Sequence, residues 1–122
     1  MTAPVTPIIF VGSVFAPTED AVTRLLVTRH WPRGIERGAV DQWEPQLAPA
    51  TVLLGAFERG DLDRDAFVEA YRTQLLARPS LLDWAARMAT NNGVALLCAD
   101  DPHDDDTCHR GALAALLRER IG

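Results

Sequence analysis

Two short, uninterrupted apolar runs, separated by a long stretch of helical pattern, constrain this chain more than any other feature. Residues 22–29 contain Leu25, Leu26 and Val27 in succession, and residues 94–98 read Val94-Ala95-Leu96-Leu97-Cys98. Runs of this length without polar alternation fit strands covered on both faces. The stretch between them is long enough for helices, so the two strands are expected to be parallel neighbours joined by a right-handed crossover. A third run, residues 8–15, lies between Pro7 and Pro17 and is expected to be a first strand of the same sheet. It has no basic residue before it, the first being Arg24, and it is too short to span a bilayer. The expectation is therefore a single small α/β domain over residues 1–122, with a short mixed or parallel sheet of about three strands and flanking helices.

Between the strands, the punctuation predicts several helices. Residues 36–43 are expected to form a short one, stopped before Pro45, and residues 51–59 another, ended by Gly60. Asp61 or Asp63 can cap a third, on which Phe67, Val68, Tyr71 and Leu75 recur at helical spacing. Ser80 can cap a fourth, and Asn91-Asn92-Gly93 is a stop signal for it. After residues 94–98 comes an acidic loop, residues 100–106, and then a last helix capped by Asp106 or Thr107 and carrying Leu113, Leu116, Leu117 and Ile121.

Charge narrows the function classes. The net charge of -5 argues against general nucleic-acid or anionic-membrane binding. All twelve positive side chains are arginines, which removes a Schiff-base lysine and a P-loop lysine from consideration. Two cysteines, Cys98 and Cys108, in a chain without an export signal are expected to be reduced thiols of a cytoplasmic protein.

Several familiar patterns fail. Asp61-Leu62-Asp63-Arg64-Asp65 opens like a calcium loop, but Ala66 stands where glycine is required and Arg72 where glutamate is required. A thiol phosphatase loop needs an arginine six residues after its cysteine, and those positions hold Asp104 and Ala114. Cys98, His103, Cys108 and His109 are ligand types that suit zinc, yet their spacing matches no standard knuckle; no metal and no cofactor are expected.

Two regions remain. One runs from Cys98 at a strand end to Cys108-His109-Arg110 at a helix start, where free amides and the positive end of the helix dipole favour an anion and can lower a thiol pKa. The nearby aspartates oppose both effects. The other is Arg29-His30-Trp31-Pro32-Arg33-Gly34. With parallel strands, both regions fall at the same sheet edge, where α/β proteins bind ligands. Arg29, Arg33 and Arg110 with His30 and His109 then surround one pocket, and arginine forks suit phosphates and carboxylates. Arg33 could instead pair with Asp41 or Glu44 of its own fold.

Val27-Thr28-Arg29-His30-Trp31-Pro32-Arg33-Gly34, followed by Trp43 and Leu47-Ala48-Pro49, resembles the domain-of-unknown-function 488 (DUF488) family, whose short bacterial branch reads L-V-D-R-x-W-P-R-G and then L-A-P-S. Phe67, Tyr71 and Arg72 look like that branch's F-x-x-x-Y-R helix, and Cys108-His109-Arg110 like a C-H-R triplet of the longer branch. Thr28 replaces the family's aspartate, Ala50 its serine, Leu54 an arginine and Ala56 a tryptophan. The resemblance implies an α/β fold and an altered pocket; it supplies no activity.

Three readings follow. The first is binding of a small anionic ligand through Arg29, His30, Arg33 and Arg110. The second is a thiol-dependent enzyme or redox sensor with Cys108 as nucleophile and His109 as base or charge partner. The third is a protein-interaction module. No nucleic-acid or membrane partner is expected, and the sequence leaves the oligomeric state open.

Overall fold

The structure, a computed structural model, describes residues 8–15, 22–98 and 110–121. Four strands form one sheet: β1 (Ile9–Ser13), β2 (Thr23–Leu26), β3 (Gln42–Trp43) and β4 (Val94–Cys98), in the order β1-β4-β2-β3 and all parallel. The expected parallel pairing of the second and last apolar runs is present, with Leu25 opposite Leu96 and Leu26 opposite Leu97. The first run pairs on the other side of β4, Ile9 opposite Val94. All five residues of β4 are buried, as a central strand covered on both faces requires.

The fourth strand is a correction. Residues 36–43 do not form a helix; only a single 3-10 turn, Arg37–Ala39, precedes β3. The sheet offers this segment better partners than a helix would: Asp41 N donates to Arg24 O at 2.9 Å and Glu44 N to Leu26 O at 3.0 Å. Edge pairing thus overrides a weak local helical preference that Gly38 further lowers.

The helices are α1 (Thr51–Glu58), α2 (Arg64–Leu76), α3 (Pro79–Asn91) and α4 (Arg110–Ile121). Asp63 caps α2, its carboxylate accepting from Ala66 N at 2.8 Å. α3 starts one residue before the expected cap, because Pro79 fits a first helical position, where its missing N–H costs nothing. Gly93 joins α3 to β4 with φ +89°; a Cβ there would lie 2.9 Å from Val22 Cγ1, so the junction requires glycine on both counts.

The two faces of the sheet are covered differently. Ile9, Leu25, Val27, Val94 and Leu96 pack under Tyr71 and Leu75 of α2, Leu82, Ala85 and Ala89 of α3, and Leu113 and Leu117 of α4. Each fully buried leucine there contributes about 2 kcal/mol. On the opposite face Leu26, Ala95 and Leu97 are covered by half-buried Trp31, Ile35, Val40 and Trp43, all from the segment between β2 and β3 or from β3 itself. No helix among the described residues is long and apolar enough to cross a membrane.

Candidate functional site

The carboxyl edge of the sheet is built from the ends of β1, β2, β3 and β4. β2 delivers Thr28, Arg29 and His30 there, and the chain then turns through Pro32, Arg33 and Gly34. Gly34 takes φ +81°, the conformation this turn needs. Two tryptophans fix the segment. Trp43 Nε1 donates to Thr28 O and Trp31 Nε1 to Ile35 O, both at 2.8 Å, and the two rings meet edge-on at 5.4 Å. Arg37 lies over the Trp31 ring, 5.0 Å from its centroid, where a cation is attracted to the ring face.

α4 comes to the same edge. Arg118, in its last turn, donates to Ile9 O at 3.1 Å, so the end of the helix sits by the start of β1. A twelve-residue helix is about 18 Å long, close to the length of a five-residue strand. Arg110, the first residue of α4, therefore opens the helix towards the carboxyl edge. Cys98 ends β4 at that edge and is buried. Cys108, His109, His103 and the acidic loop, with the expected cap at Asp106 or Thr107, lie outside the described residues.

The basic side chains from β2 differ in how they are used. The Nη2 of Arg29 donates to the carbonyls of Ala48 and Pro49, both at 3.0 Å. It thereby braces the chain just before α1, and its buried Nε has no hydrogen-bond partner among the described residues. His30 and Arg33 are exposed. Neither Asp41 nor Glu44 holds Arg33. Asp41 accepts from Arg24 N at 2.8 Å, and Glu44 accepts from Gln46 N at 3.0 Å. Among the described residues no carboxylate is bonded to Arg29, His30 or Arg33. Elsewhere arginines do find acids: Arg59 with Asp61, Arg72 with Glu119 and Arg120 with Asp83.

The segment before α1 is held from a second side by residues that sequence reasoning assigned to the core or passed over. Tyr71, on α2, donates its hydroxyl to Leu47 O. Gln74, one turn further on the same helix face, donates to Ala48 O at 2.9 Å and accepts from Ala50 N at 2.7 Å. The signal for Gln74 was a polar residue three positions after Tyr71, on the inward-facing stripe of α2. Ala50, which precedes α1, supplies no side-chain cap. No group of three or more His, Cys, Asp or Glu side chains gathers as a metal site among the described residues.

Residues 9–121 match a family model, DUF488-N3a, described as the active DUF488-N3 subclade. The uncharacterized protein YeaO of Escherichia coli (strain K12) is 38% identical over 65 residues, which is 51% of this chain and 56% of that protein. The matched stretch thus spans only about half the length of that relative. No solved structure matches the chain significantly. With nearly its whole length covered by the family model, the chain belongs to the DUF488 family.

Proposed function

We propose that the chain binds a small anion, a phosphate or a carboxylate, at the carboxyl edge of its sheet, with Arg33 as the principal charged contact. One observation carries this reading: a single strand end delivers Arg29, His30 and Arg33 to that edge, and no carboxylate among the described residues neutralises them. In a chain of net charge -5, two arginines and a histidine at one strand end with no carboxylate partner among the described residues favour an anion there. Arginine presents a planar fork to such a ligand. Arg29 acts mainly as a brace for the site, His30 borders it, and α4 opens towards the same edge from the other side.

Thermal-shift titration with inorganic phosphate, sulfate and acetate tests this. A saturable rise in melting temperature is expected for at least one of them, because a ligand of the native state stabilises it. Arg33→Ala should abolish the rise while leaving the unliganded melting temperature within about two degrees, since substitutions at exposed positions rarely exceed about 0.5 kcal/mol.

A second reading is thiol chemistry at Cys108 with His109 as base or charge partner; the family model's description as an active subclade is compatible with an enzymatic role but names no residue. Its test is the pH dependence of iodoacetamide alkylation. A reaction with Cys108 that stays fast well below the ordinary thiol pKa of about 8.5 supports it, and a rate like that of a free thiol counts against it.

A further inference from the structure

The bracing role of Arg29 leaves part of its guanidinium unused. Nη2 is engaged by the carbonyls of Ala48 and Pro49, but the Nε–H is buried and has no acceptor among the described residues. A buried donor without a partner is costly, the more so on a charged group, and an unseen ion or water is the usual explanation for one. No carboxylate among the described residues pairs with Arg29, so its charge lacks a counterpart as well. The backbone beside it is fixed at each polar group. Ala48 O also accepts from Gln74 Nε2 at 2.9 Å, Ala50 N donates to Gln74 Oε1 at 2.7 Å, and Ala50 O accepts from Leu54 N at 2.9 Å. The next donors along the chain are the amides of Thr51, Val52 and Leu53, the first turn of α1, which have no acceptor among the described residues. Ala50 has the non-helical backbone of a capping residue, φ -57° and ψ 146°, but no side-chain oxygen to offer them. An orphaned cationic N–H and an uncapped helical turn thus meet at one short stretch, Ala48 to Ala50.

We propose that an oxygen of a small oxyanion, a carboxylate or a phosphate, accepts from Arg29 Nε at the start of α1 and meets the first-turn amides there. This rests on the anion reading above and adds where the ligand is held. Arg29 then has two tasks on one guanidinium: Nη2 braces the backbone and Nε binds. The brace serves the binding, because its bonds to the carbonyls of Ala48 and Pro49, both buried residues, hold the guanidinium in place before a ligand arrives. The ligand in turn satisfies the orphaned donor through a charge-assisted bond and supplies the cap that Ala50 lacks.

Titration of inorganic phosphate into the whole isotope-labelled chain, followed by NMR at an ionic strength fixed with chloride, tests the proposal. The Arg29 Nε–H signal and the amide signals of Thr51, Val52 and Leu53 should shift together and saturate at one affinity. Acetate in a parallel titration separates the two ligand classes, the tighter binder being the class the site serves. Ala50→Asp puts a carboxylate of the chain itself at the start of α1, and it should weaken phosphate binding by about tenfold or more, as a like charge beside the ligand does. Should that variant not fold, the titration of the unmodified protein decides. Saturable binding that shifts the Arg33 turn and leaves those four N–H signals unmoved overturns this placement while the anion reading stands. Phosphate binding to Ala50→Asp as tight as to the unmodified chain does the same. Binding of neither ion at millimolar concentration overturns both.

Discussion

Leu96 and Leu97 are neighbours on β4 and both are completely buried, yet they lie on opposite faces of the sheet in two different kinds of core. Leu96 sits under a layer of three helices whose side chains interlock. Leu97 sits under a loop layer, where Trp31, Ile35, Val40 and Trp43 do the covering. The difference teaches how this small fold divides its labour. The helical face supplies the stability, while the loop face carries the basic side chains to the carboxyl edge and uses its tryptophans to hold them there.

The largest expected effect is on the helical face. Leu96→Ala should cost about 4 kcal/mol in urea unfolding, because the helices around the cavity cannot close it. Leu97→Ala removes the same atoms and should cost about 2 kcal/mol, because a loop layer collapses more readily onto the space. Equal losses would show that the loop layer is as rigid as the helices and would break the contrast. Tyr71→Phe should cost about 1–2 kcal/mol, since it removes the hydroxyl donor to Leu47 O in a buried place. A loss below about 0.5 kcal/mol would mean that the segment before α1 is positioned by Arg29 and Gln74 without Tyr71.

The smallest effect concerns arginines that already have acids. The hydrogen bond from Arg72 holds the Glu119 carboxyl below its ordinary range, and the hydrogen bond from Arg120 does the same for Asp83. In the unfolded chain these carboxyls return to their ordinary values of 4.5 and 3.8. Their contribution to stability is therefore complete above those values and fades as the pH falls through them towards the lower folded-state pKa values. All four groups are solvent-exposed, so the slope should be slight. Replacing Arg72 and Arg120 together by alanine should flatten the acid limb of the melting curve between pH 5 and pH 3, a window set by those carboxyl values. An unchanged acid limb would remove these pairs from the account.

Much of this was legible in the chain. The Leu25-Leu26-Val27 and residues 94–98 runs were readable as buried strands because a sheet covered twice needs no polar alternation. Asp63, Gly60 and Gly93 marked element ends through local backbone chemistry that any context preserves. β3 was not readable. Two residues carry no period, and what makes Gln42–Trp43 a strand is the backbone of β2, far away in sequence. The candidate site was legible in part, since the order of strands and helices put Arg29, His30 and Arg33 at a strand end. The role of Arg29 as a brace was not legible, because its partners are the carbonyls of Ala48 and Pro49, and carbonyls leave no trace in side-chain identity.

The central claim is that Arg33, which has no acid partner among the described residues, is there for an anion. Isothermal titration of inorganic phosphate into the unmodified protein and into Arg33→Ala, at one ionic strength set with chloride, tests it most directly. The account predicts saturable binding to the unmodified protein and at least a tenfold weaker affinity for Arg33→Ala, with both proteins equally folded. Phosphate that binds both proteins equally well, or neither at millimolar concentration, would contradict it.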